Sequence, residues 1–178
     1  MTVTVTAVRA ELRSDSRGVP VPNPRLSWTT RSDIAGWTQA SAEVEIDGAE
    51  SVVLDGAESV LVAWPFDPIA PRGRHSLRVR VTGSGGATSD WSAPLPITGD
   101  FLGEGEWTAP LVGLADPPEV SEPALVRGEF TVDRPVERAT LYATAHGVYR
   151  VRVNGAVVDE EILKPGWTPY PRRLVHET

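Results

Sequence analysis

Residues 137–170 read ERATLYATAHGVYRVRVNGAVVDEEILKPGWTPY. The order of this stretch is period two. Ala139, Leu141 and Ala143 alternate with Thr140, Tyr142 and Thr144, and Tyr149, Val151 and Val153 alternate with Arg150 and Arg152. Successive side chains of a strand point to opposite faces, so each run offers one face to a core. Asn154-Gly155 then supplies a type I′ hairpin turn, which needs positive φ at both central positions. Residues 156–158 are the return strand, and Pro165-Gly166 marks a second turn.

The same period extends towards the N-terminus. Val3, Val5 and Ala7 alternate with threonines, and Leu26 and Trp28 share one face of residues 24–30. Ala42, Val44 and Ile46 alternate with Glu43, Glu45 and Asp47; Val60, Val62 and Trp64 repeat the pattern before Pro65 and Pro68. Leu77, Val79 and Val81 alternate with Arg78 and Arg80, a Gly83-Ser84-Gly85-Gly86 turn follows, and residues 87–97 supply another strand. About seven short strands with regular turn signals predict an immunoglobulin-like or fibronectin type III-like sandwich over residues 1–99, with Trp28 in its core. The lack of cysteine favours the fibronectin-like version. A boundary is expected near Gly99-Asp100, where a segment rich in Gly, Pro and acids begins. Residues 125–132 and 138–145 are expected to open a second sandwich. No convincing helix and no fixed-period repeat is found.

Composition restricts function. The chain has 178 residues, 40% of them apolar and 23% charged, with a net charge of −7. The acidic balance opposes a nucleic-acid partner, which needs clustered Lys and Arg. Lys164 is the single lysine. Without cysteine there is no disulfide, thiolate zinc site or Cys nucleophile. No stretch approaches the ~20 apolar residues of a membrane-spanning helix, and residues 1–10 do not read as a signal peptide. If Met1 is the native start a cytoplasmic product is expected; if residues were trimmed before it, a secreted one.

Several motifs resemble the N-terminal region of bacterial α-L-rhamnosidases, glycoside hydrolases with an (α/α)6 catalytic barrel. They are Pro24-Arg25-Leu26-Ser27-Trp28, Ser89-Asp90-Trp91-Ser92, Glu106-Trp107, residues 138–149, Asn154-Gly155 and residues 163–170. The resemblance covers essentially the whole chain and is more specific in its second part. Departures fall at residues 75–79, where the family has an aromatic-rich strand, and near Ala42, where it has a Tyr. The resemblance implies a fibronectin type III-like domain over residues 1–99 and an incomplete jelly-roll-like sandwich over 100–178. It also implies that further strands and the catalytic barrel follow in the parent enzyme, and that this barrel is the partner of these domains.

Catalysis needs two positioned carboxylates about 5–10 Å apart. The rhamnosidases resembled keep theirs in the barrel, so no catalytic residue is assigned in this chain. Asp159, Glu160 and Glu161 read as a solvated turn in preference to a metal site, because EF-hand spacing is lacking. His75, His146 and His176 are scattered and form no recognisable triad. No metal and no cofactor is expected. Trp167 and Tyr170 are the candidate carbohydrate contacts, since aromatic faces stack on sugar rings; packing of Trp167 beneath its loop is the competing reading. The resulting expectation is an all-β, non-catalytic accessory region of an α-L-rhamnosidase. A free-standing carbohydrate-binding module and a plain spacer are the alternatives. Partners would be the barrel and a rhamnose-containing carbohydrate. A sandwich without its closing strands is also expected to dimerise through exposed edges or to fray.

Overall fold

The computed structural model describes residues 2–11, 18–103, 105–116 and 122–178. The acid- and proline-rich stretch expected between the two parts lies partly outside these residues. The chain is all-β and divides into two compact units, Met1–Trp107 and Thr108–Thr178.

The first unit contains β1 (Val3–Ala10), β2 (Leu26–Ser32), β3 (Gln39–Ile46), β4 (Glu50–Asp55), β5 (Arg74–Gly83) and β6 (Leu95–Thr98). β1 and β2 pair antiparallel in one sheet, and the second sheet has the order β4-β3-β5-β6. In its centre Val44 lies opposite Val52 on β4 and Val79 on β5. Alternation decides which face is buried. Ala42, Val44 and Ile46 of β3 point inward, as do Leu77, Val79 and Val81 of β5. All of these but Ile46 meet Val3, Val5, Leu26 and Trp28 from the other sheet in one apolar cluster. Complete burial of each Val or Leu is worth roughly 1.5–3 kcal/mol, which makes this cluster the main source of stability.

Trp28 is only 4% exposed. Its Nε1–H donates to Gln39 Oε1 at 2.9 Å, and Gln39 Nε2 donates to the Gly56 and Glu58 carbonyls at 3.1 and 3.0 Å. The indole is therefore buried with its one donor satisfied, and the two sheets are tied together at this point. The β3–β4 turn places Asp47 and Gly48 at φ 54° and 71°, the twist that suits a hairpin.

In the first unit the sequence-based expectation differs from the structure in three places. β4 was not anticipated: Val52-Val53-Leu54 does not alternate, and the strand lies at the sheet edge with only partial burial. Residues 60–64 form no strand and contribute one bridge, Leu26 with Val62, closed by two 2.8 Å hydrogen bonds. Leu61 takes a left-handed φ of 51° beside it, which breaks the pleat. Residues 87–97 yield one bridge, Thr82 with Thr88, and the first three residues of the four-residue β6.

The second unit holds β7 (Arg152–Val153) and β8 (Ala156–Val157), joined by Asn154 and Gly155 at φ 50° and 83°. This is the anticipated Asn-Gly hairpin. Residues 125–132 form no ladder, and residues 138–145 contribute only the bridge of Ala143 to Glu177. None of the described residues in 108–178 is buried. Leu125 and Phe130 are 99% and 87% exposed. A strand is held by a partner and by a face to cover, and residues 125–132 meet no ladder partner among the described residues.

Candidate functional site

The candidate aromatic residues lie in the second unit, on the segment that follows Lys164. A second segment, residues 143–149, packs beside it. Ala143 and Glu177 exchange backbone hydrogen bonds of 3.1 and 2.9 Å, and the Tyr149 N–H donates to the Lys164 carbonyl at 2.9 Å. Thr144 Oγ1 donates to the Val175 carbonyl at 2.5 Å. These contacts place His146 against Tyr170. Their rings stack at 4.7 Å between centroids with 7° between planes. The Gly147 N–H donates to Tyr170 Oη at 2.7 Å. Gly147 is at φ 108°, a conformation that side-chain-bearing residues rarely adopt. Tyr170 is thus fixed in orientation and half-buried.

Trp167 behaves differently. It is 81% exposed, so it is not a plug beneath its loop in the described fold. Ile162 and Leu163 of the same segment are 74% and 69% exposed, and Leu163 takes φ 63°. The structure brings Tyr170 together with His146 and presents Trp167 to the surroundings of the unit.

The acidic turn is organised around the single lysine. Lys164 Nζ lies 3.0 Å from Glu161, 3.3 Å from Asp159 and 3.8 Å from Glu177, with 18% of its side chain exposed. The hydrogen bond to Glu161 leads in holding the ammonium above its ordinary range; partial burial opposes this and Asp159 adds to it. Asp159 Oδ1 also accepts the Glu161 N–H at 2.8 Å, an Asx turn. Tyr149 is pushed above its ordinary value by burial first and by the Glu177 charge second.

A general acid for glycoside cleavage is a carboxyl held protonated by its surroundings. Glu11, Glu45 and Asp47 are displaced the other way. Glu11 is held low chiefly by its hydrogen bond to Arg25, and Glu45 by that to Arg78. Desolvation raises Asp47, but the Ser76 N–H and His75 together outweigh it. These carboxylates are built to stay ionised in pairs. Sequence reasoning missed Trp91, whose ring lies 4.8 Å from the Arg78 guanidinium and 4.6 Å from that of Arg80. The Ser89-Asp90-Trp91-Ser92 motif was the available signal, together with the two arginines spaced on one face of β5.

An immunoglobulin-like sandwich followed by a hairpin unit that turns its aromatic and aliphatic side chains outward defines an all-β module suited to packing or binding. Residues 5–98 match the family described as the Rha78A-like, N-terminal immunoglobulin domain, and residues 134–178 match the alpha-L-rhamnosidase N-terminal domain. The chain belongs to the first of these families, whose match spans more than half of it, and continues into the second. It is 30% identical over 198 residues to an alpha-L-rhamnosidase of Streptomyces avermitilis, covering 92% of this chain and 19% of that protein. It is 28% identical over 173 residues to an alpha-L-rhamnosidase of an Alteromonas species, covering 85% of this chain and 19% of that one. Among solved structures it is similar to native α-L-rhamnosidase from Aspergillus terreus, with a TM-score of 0.80 and 28% identity over 97% of this chain and 21% of the other. The chain therefore spans about a fifth of the length of these relatives.

Proposed function

We propose that this chain is the non-catalytic N-terminal accessory part of an α-L-rhamnosidase, and that the hydrolysis of terminal α-L-rhamnosyl bonds is carried out elsewhere in the same protein. The observation that carries this reading is the order and extent of the matches: two N-terminal domain families in series, over 19% of each relative's length. The pairing of Glu11 with Arg25 and of Glu45 with Arg78 supports it, because carboxylates held ionised cannot protonate a leaving oxygen. The partner is the catalytic domain. The apolar side chains that the second unit leaves uncovered are suited to contact with it.

The test is hydrolysis of an aryl α-L-rhamnoside. The 178-residue chain should release no aglycone above background, whereas the polypeptide encoded with sequence beyond the Thr178 codon should turn over. Turnover by the isolated chain would overturn the reading, as would a gene in which no catalytic domain accompanies it.

The exposure of Trp167 and the fixed orientation of Tyr170 favour a second role for the same unit, contact with a rhamnose-containing carbohydrate. Titration with rhamnose should then quench tryptophan fluorescence in the intact enzyme, and Trp167→Ala should remove the quenching. Fluorescence unchanged at saturating sugar would reject this role.

A further inference from the structure

We propose that residues 88–92 form a strap that seals the open edge of β5, and that releasing it turns that edge into a pairing strand for a second copy of this chain. β6 pairs with β5 only from Arg74 to Leu77, so the upper half of β5 has no strand on that side. The strap takes that place without being a strand. The Ser89 N–H donates to the Val81 carbonyl at 2.9 Å and the Ser92 N–H to the Val79 carbonyl at 2.8 Å. In return the Val81 and Val79 N–H groups donate to Ser89 Oγ and Ser92 Oγ, both at 3.0 Å. Serine hydroxyls here replace the carbonyls of a regular ladder, and each hydroxyl donates onward, to the Asp90 and Ala93 carbonyls at 2.8 and 2.9 Å.

The substitution has a geometric cause. The strap advances three residues, Ser89 to Ser92, while β5 advances two, Val81 to Val79. The extra residue bulges outward and carries Trp91 onto the outer face of the sheet. There the ring stacks with Arg78 and Arg80, one turn of the β5 pleat apart. Both guanidiniums are braced from β3. Arg78 pairs with Glu45 through bonds of 2.6 and 2.8 Å, and Arg80 Nε with Glu43 at 2.6 Å. Trp91 thus fastens the strap across two strands from the solvent side, while Thr82 and Thr88 join its upper end at 3.0 Å between hydroxyls. An unpaired row of N–H and C=O groups beside apolar residues is a template for edge-to-edge association. The four groups at Val79 and Val81 are the row that the strap occupies. A second copy fits it because β5 can pair antiparallel with itself, its Arg78–Arg80 face braced by its own glutamates.

The test uses the whole chain with Trp91→Ala and, as the conservative control, Trp91→Phe. Amide hydrogen exchange of Val79 and Val81 should accelerate about tenfold or more in the alanine variant, while the amides of Val44 on β3 keep their protection. Sedimentation equilibrium should show the alanine variant dimerising at lower concentration than the parent, and the phenylalanine variant should behave as the parent. Unchanged exchange at Val79 and Val81 would overturn the strap. Uniform loss of protection in every strand would do the same, since Trp91 would then belong to the global core. Local opening without added association would overturn the pairing role.

Discussion

At the scale of single residues, two positions test how far local packing decides stability. Gly83 lies under the ring of Trp37: a Cβ there would stand 2.2 Å from Nε1 and 2.8 Å from Cε2. Trp37 Nε1 is buried with no hydrogen-bond partner among the described residues, so the indole has been brought in for its apolar area. Gly83→Ala should cost about 1–3 kcal/mol, read from chemical denaturation, because the ring must leave its place. Glu11 and Asp47 test the charges. Both carboxyls are held below their ordinary values of 4.5 and 3.8 in the folded chain. The unfolded state therefore binds protons first as pH falls, so the stabilisation is complete above those values and is lost as pH drops through the lower folded ones. Thermal melts of the first unit should be flat in this respect from neutral pH to about pH 5 and should fall steeply below about pH 4. In Glu11→Gln the part of that fall due to Glu11 should vanish.

At the scale of elements, the outer face of β3 and β5 is a set of charged rungs laid over a buried apolar face. Glu43 lies opposite Arg80 and Glu45 opposite Arg78 in the register. A double-mutant cycle on Glu45 and Arg78 should give a small favourable coupling that falls at about 1 M salt, because both side chains keep part of their water. These strands were legible in the sequence because alternation and burial agree: Val44 and Val79 are inward, Glu45 and Arg78 outward. β4 was not legible, since an edge strand with half-covered Val52 and Leu54 has little burial to write into its pattern. Residues 125–132 mark the opposite case. Leu125, Phe130 and Val132 have the composition of a strand, but a pattern specifies only a willingness to pair, and no ladder partner meets them among the described residues. Of the candidate site, Tyr170 and Trp167 could be named from residue type and turn context. The stack of His146 on Tyr170 could not, because residues distant in sequence meet only through the bridges at Ala143 and Tyr149.

At the scale of the whole molecule, the two units differ in what holds them. All the buried apolar residues described belong to Met1–Trp107. The second unit rests on the β7–β8 hairpin, a few bridges and the ion pairs of Lys164. Two-stranded pairs of this size are marginal in water without a covered face. Limited proteolysis should therefore cleave the isolated chain within residues 108–178 first and leave a resistant core ending near Trp107. Equal resistance of both units would show that the second has cover of its own. Light scattering of the intact chain should show mass rising with concentration, and removal of residues 108–178 should abolish the rise, since apolar side chains as exposed as Phe130 and Trp167 associate when nothing else covers them.

The isolation of Lys164 has a practical side. The chain contains no other side-chain amine, and this one sits among three carboxylates in the unit with the least cover. Amine-directed acylation of the chain can touch only that nitrogen and the α-amino group. Its rate at Lys164 is therefore a chemical clock for the opening of the second unit, and it requires no engineered label.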